Sequence, residues 1–214
     1  MQAAFYGLEG LTLTAEEREF FQQADPLGYI LFKRNCENRN QLRALTDSLR
    51  ELSGRDDLMI LIDQEGGRVA RLTAPEWEVI PAAATFDTVA QKQNLSLAER
   101  AVYLQARIIA QQLTDMGITV NCAPLADIPA PGSHDIIGDR AFGKTAQQVS
   151  KLARQQSEGL MAGGVLPVLK HIPGHGRATA DSHEELPVVS ASLAELEASD
   201  FIPFRELADI PLGM

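Results

Sequence analysis

Five short runs of aliphatic and β-branched residues, spaced along the chain with helical patterns between them, limit what this sequence can fold into. They read GYILF at 28–32, LMILID at 58–63, ITVNC at 118–122 and VLPVLK at 165–170, with a weaker AAFY at 3–6. Within each the apolar residues are continuous rather than alternating, which predicts strands buried on both faces, as in a parallel sheet covered by helices. Pro167 counts mildly against a central position for the last run, because it offers no N–H to a neighbouring strand. Repeated β-α units imply right-handed crossovers and either a doubly wound sheet or a closed barrel, and the pattern alone does not choose between the two.

Helix starts are marked by a hydroxyl residue followed three positions later by Glu or Gln, at Thr14/Glu17, Ser96/Glu99, Thr145/Gln148 and Ser192/Glu195. The helix expected after Ser96 places Ala101, Leu104, Ile108, Leu113 and Met116 on one side as core and stops at Gly117. A second helix carries Leu42, Leu45, Leu49 and Leu52 and stops near Gly54. No segment reads as a linker, so residues 1–214 are expected to form a single domain. A complete eight-stranded α/β barrel typically needs about 250 residues, and the last residues, ADIPLGM, read as the opening of a further strand.

The chain is 45% apolar and 22% charged, with a formal net charge of −10. An acidic surface repels phosphate backbones and anionic lipid, so neither nucleic acid nor a membrane is an expected partner. No apolar run is long enough to span a bilayer, and no export signal is visible at the start. Cys36 and Cys122 form neither a C-x-x-C pair nor a spaced framework, which fits reduced thiols in a cytosol.

In parallel α/β folds functional groups gather at the carboxyl ends of strands. Asp63, followed by the sharp-turning QEGGR and then Arg71, ends one run; Asn121 and Asp127 lie around the end of another; Lys170 and His171 close a third. Such a mixture of carboxylate, guanidinium, ammonium and imidazole suits a polyhydroxylated substrate, with a helix cap as the lesser alternative for Asp63 alone. Three of the four histidines fall in KHIPGHGRATADSH at 170–183. A metal site through His171, His175 and His183 is one reading, but Pro173, Gly174 and Gly176 make a helix there improbable and remove the shared face that a four-residue spacing needs. In the polar stretch 174–187, Asp181 stands two residues from His183, where it can orient the imidazole of an acid/base pair. A solvated surface loop accounts for the same spacing.

Four segments in order, LIDQEGGRVARL (61–72), NCAPLADI (121–128), IGDRAFG (137–143) and KHIPGHGRATADSHEELP (170–187), resemble the bacterial cytosolic β-N-acetylhexosaminidases of glycoside hydrolase family 3, over essentially the whole chain. The resemblance implies a (β/α)8 TIM-type barrel, incomplete in this chain with its last strands missing. It also implies retaining hydrolysis of terminal β-linked N-acetylglucosamine from peptidoglycan fragments in cell-wall recycling. Asp63, Arg71, Arg140, Lys170 and His171 match the family's sugar-binding residues, His183 its general acid/base and Asp181 the carboxylate partnering that histidine. His175 is left a loop-shaping role, and Ile172 stands where a Phe is common. The family's nucleophilic aspartate falls beyond Met214. The chain is therefore expected to belong to a cytoplasmic enzyme, monomeric at full length, that takes a saccharide or muropeptide and needs neither cofactor nor metal. A sugar-binding piece without turnover is the alternative.

Overall fold

In the computed structural model, which describes residues 1–132, 135–178 and 186–214, every one of the five apolar runs carries a strand. In chain order the elements are β1 (Gln2–Gly7), α1 (Ala15–Ala24), β2 (Pro26–Leu31), α2 (Arg39–Ser53), β3 (Met59–Ile62), the short β4 (Gln64–Gly66) and β5 (Val69–Ala70), α3 (Ala83–Lys92) and α4 (Leu95–Asp115). They continue with β6 (Val120–Asn121), α5 (Ala146–Ala162), β7 (Leu166–Leu169), α6 (Leu193–Ala198), α7 (Ile202–Glu206) and β8 (Leu212–Gly213). One sheet holds six strands in the order β1-β2-β3-β6-β7-β8, every neighbouring pair parallel. A doubly wound sheet reverses its strand order at a switch point. Here the order never reverses, so the path is that of a (β/α)8 barrel, incomplete at six strands among the described residues, with β1 and β8 at the edges.

The continuous apolarity follows from this architecture. Along β3, Ile60 and Ile62 face the helices and pack with Leu42, Leu45 and Leu49 of α2 and with Ile109 and Leu113 of α4. Leu61, one position out of phase, turns to the opposite layer with Val120, Cys122 and Val168. Both sides are dry, so no polar alternation is required. Gly28 lets β2 approach β3: a methyl group there would sit 2.1 Å from the Met59 carbonyl oxygen. Pro167 proves compatible with an interior strand. Leu166 and Val168 donate toward the β6 side, so alternation aims the missing N–H of Pro167 at the β8 side, before the first paired residues Val168 and Leu212.

The helix signals hold in part. Thr14 and Ser192 make complete capping boxes, and α2 buries Leu42, Leu45 and Leu49 and ends at Gly54 in the left-handed region. Thr145 caps α5, but Gln148 donates its amide to Asp87 and to the Phe142 carbonyl instead of reaching back. The start of α4 is corrected: Asn94, not Ser96, is the cap, accepting from Leu97 N at 2.8 Å. Its buried face is corrected too. Ala98, Val102, Ala106, Ile109, Ala110 and Leu113 are inside, whereas Leu104 and Ile108 are about half exposed, at 48% and 49%. Small residues make that choice, because Gly159 of α5 and Gly163 at its C-cap lie so close to Ala106 and Ala110 that an added methyl would fall 2.6 and 2.2 Å from them.

Cys36 and Cys122 are free and buried, and burial pushes their thiols up to about 11 and about 12. Among the described residues no helix is long and apolar enough to cross a membrane.

Candidate active site

The carboxyl ends of β3 and β7 open onto a pocket of about 380 Å³. Asp63, Arg71, Arg140, Lys170, His171 and His175 give it polar walls, and Ile30, Val69, Ile136 and Met214 give it apolar ones. All five residues matched to sugar binding by motif are thus in one place. His175, expected only to shape a loop, lines the same cavity.

Asp63 directly follows β3 and leads into the β4-β5 hairpin rather than a helix, so the capping role does not hold. Its carboxylate accepts from Arg71 Nη2 at 3.0 Å and from Lys170 Nζ at 3.0 Å. The Lys170 ammonium, 3% exposed, also lies 2.7 Å from Glu65 Oε1. Glu65 in turn accepts from Arg140 Nε at 2.9 Å and Nη2 at 2.8 Å, a two-point fork. Arg71, Asp63, Lys170, Glu65 and Arg140 therefore form a ladder of alternating charge at the base of the pocket, with Glu65 behind Lys170 and Arg140.

Its members stabilise one another's ionised forms. Burial pushes the Asp63 carboxyl up, but Lys170 and Arg71 more than offset this and hold it below the usual carboxylate range. For Glu65 the same upward push is overcome by hydrogen bonds from Arg140 and by the charge of Lys170. Burial would lower Lys170, yet Glu65 and Asp63 keep its ammonium above the ordinary lysine value. Arg140 is likewise held above its usual value, with Glu65 overcoming burial.

Local backbone geometry explains why the hairpin presents these groups. Gly66 and Gly67 adopt φ of 108° and 57°, and a side chain on Gly67 would meet Ala82 at 2.6 Å. Asn121, at the end of β6, accepts from Gln64 N at 3.0 Å and donates to Gln64 O at 2.9 Å. The Gln64 amide closes the hairpin through Arg71 N, Leu72 N and Leu72 O at 2.9 to 3.0 Å. Asn121 thus pins the backbone that carries Asp63 and Glu65. Arg68 reaches from the hairpin to Asp139 at 2.7 Å, beside Arg140.

Asp127 is fully buried. It takes His171 Nδ1 at 2.7 Å on one oxygen and His175 N at 2.6 Å on the other, with His171 N at 3.4 Å. The His171 ring is thereby fixed, with Nδ1 committed to the carboxylate and Nε2 on the far side. The His171 and His175 rings meet edge to face, 5.8 Å between centroids. Among the described residues no group of three or more His, Cys, Asp or Glu side chains is placed to hold a metal ion. His183 and Asp181 lie outside the described residues; just before them, Arg177 is anchored to Asp200 at 2.8 Å.

Over residues 6–214 the chain matches the glycosyl hydrolase family 3 N terminal domain. It belongs to that family. A beta-hexosaminidase of Methylococcus capsulatus is 39% identical over 202 residues, which are 94% of this chain and 58% of that relative. NagZ from Neisseria gonorrhoeae, solved in complex with N-trifluoroacetyl-D-glucosamine, superposes with a TM-score of 0.92 at 34% identity, covering 99% of this chain and 62% of the other. A family 3 beta-N-acetylglucosaminidase from a Paenibacillus strain superposes at 0.85 with 33% identity, covering 94% of this chain and 38% of the other. The chain thus spans little more than half the length of the first two relatives. Its family 3 barrel has Glu65 and Asp127 built into the site: Asp127 was expected near a strand end among the candidate polar groups, whereas Glu65 had been assigned no role there.

Proposed function

We propose that this chain provides the sugar-holding and proton-transferring face of a retaining β-N-acetylglucosaminidase acting on peptidoglycan fragments, including those ending in a 1,6-anhydro-N-acetylmuramic acid unit. The observation that carries this reading is the charge ladder at the strand ends. Its charges are largely paired with each other, so a free anion gains little there, whereas a neutral polyol meets charge-assisted donors and acceptors on every side. Asp63 accepts from adjacent hydroxyls, Arg71, Arg140 and Lys170 donate to sugar oxygens, and His171 presents Nε2 to another. The N-acyl glucosamine bound by the gonococcal relative supports the same sugar class.

In the proposed reaction His183, as imidazolium, gives its proton to the glycosidic oxygen as the C–O bond breaks and a carboxylate attacks the anomeric carbon. Neutral His183 then takes a proton from the water that displaces the carboxylate, which completes retention. Asp181 orients the imidazole, whose ordinary pKa near 6.5 serves both half-reactions. The attacking aspartate is supplied, by family resemblance, after Met214. We place the protein in the cytoplasm as a monomer acting on a small saccharide or muropeptide, without cofactor, nucleic acid or membrane. The test uses the protein carried through that aspartate, with chromogenic N-acetylglucosaminides. His183→Ala lowers kcat about a hundredfold or more, and aglycones that leave readily lose least in the first step. Equal losses for all leaving groups in that step would count against the acid role.

A further inference from the structure

Glu65 does not line the pocket, yet it holds two residues that do. Of the five N–H groups of Arg140, two are taken by Glu65 and a third goes to the Ile136 carbonyl at 3.0 Å. Of the three on Lys170, one faces Asp63 and one Glu65. What remains for a ligand is a small, fixed set of donors. We propose that Glu65 is a positioning residue of the sugar site: its carboxylate sets the plane of Arg140 and the direction of Lys170, and so decides which of their N–H groups meet the substrate. The proposal rests on the sugar-site reading above.

The geometry separates this role from that of Asp63. Asp63 lines the pocket and pairs with both Lys170 and Arg71. Glu65, with its side chain 8% exposed, is on the far side of both cations and acts only through them. It is also the one carboxylate that pairs with Arg140 among the described residues. Without it, Lys170 is free to turn wholly to Asp63, and Arg140 loses the two-point fork that fixes its guanidinium. Two long, rotamer-rich side chains would then have to be ordered by the sugar itself, which weakens binding.

The test compares the chain with Glu65→Gln, of equal size but uncharged, and Glu65→Asp, charged but one methylene short. Calorimetric titration with N-acetylglucosamine reads affinity. Hydrogen exchange at Arg140 Nε, followed by heteronuclear NMR and assigned with Arg140→Lys, reads the fork with no sugar present. In Glu65→Gln the expected result is exchange about tenfold faster or more, and a Kd raised about ten- to a hundredfold, with Glu65→Asp between it and the parent. Unchanged exchange at Arg140 would overturn the proposal. A lowered melting temperature with unchanged affinity would do so too, since that marks a purely structural carboxylate. If Glu65→Gln does not fold, Glu65→Asp decides by the same two readings. No binding by the parent chain sinks the sugar reading and this proposal together, whereas binding indifferent to residue 65 sinks the proposal alone.

Discussion

Asp127 shows how much one buried carboxylate can organise. Both of its oxygens are used, one by the His171 ring and the other by backbone N–H groups of the loop that follows β7. An amide of the same shape offers one acceptor and one donor, so it satisfies the backbone only by facing its NH2 toward His171 Nδ1. Asp127→Asn is therefore expected to cost about 1.5–3 kcal/mol in chemical denaturation and to move the ring proton of His171 to Nε2, which nitrogen NMR of the imidazole reports. An unchanged tautomer would mean that Asp127 does not govern that ring. Asp63, Lys170 and His171 were legible in the sequence because each follows an apolar run directly, and a parallel sheet gathers such positions at one end. Glu65 was not. Its partners are 75 and 105 positions further along the chain, and no local pattern encodes such pairing. The one available hint was its distance of two from Asp63, which in extended backbone puts both carboxylates on the same side.

For α4 the sequence signal was strong and placed Leu113 and Met116 inside as expected, yet it misplaced the middle of the buried face. Large residues weigh most in a hydrophobic pattern, and Leu104 and Ile108 drew the stripe toward the outside. The face that packs is instead built from alanines opposite glycines, which carry little hydrophobic weight but allow two helices to come close. Ile109→Ala is expected to destabilise by about 2–5 kcal/mol, and Ile108→Ala, one position away, by less than about 1. Thermal or urea unfolding separates the two, and equal costs would contradict this packing. The start of the helix invites a matching comparison. Asn94→Ala removes the acceptor of the Leu97 N–H and is expected to cost about 1 kcal/mol, while Ser96→Ala, one position inside the helix, costs next to nothing. Ser96 misled because a hydroxyl with Glu three residues on has the form of a cap wherever it falls. Only the end of α3 at Lys92 decides that Asn94 is the one in place.

Taken as a whole, the barrel wall was legible from its apolar runs, but its curvature was not, because a doubly wound sheet and a barrel bury strands of the same composition. What distinguishes them is the unreversed strand order, a property of pairing between distant segments. The ladder that spans those strand ends should leave its mark on stability against pH. Asp63 and Glu65 are held below their ordinary values of 3.8 and 4.5, so their contribution is present above those values and is lost as pH falls through the lower folded ones. Lys170 is held above 10.5, so its contribution is present below 10.5 and fades as pH rises through the folded value. Melting temperatures followed by circular dichroism are expected to decline on both flanks, with a shallower acid flank in Glu65→Gln. An acid flank identical in both proteins would show that Glu65 does not contribute there. The same chain of paired charges bears on how such sequences can drift over generations. A change at Glu65 strands a guanidinium and an ammonium at once, so lineages that lose this glutamate are expected to have altered Arg140 or Lys170 as well, and the three positions should be inherited as a set.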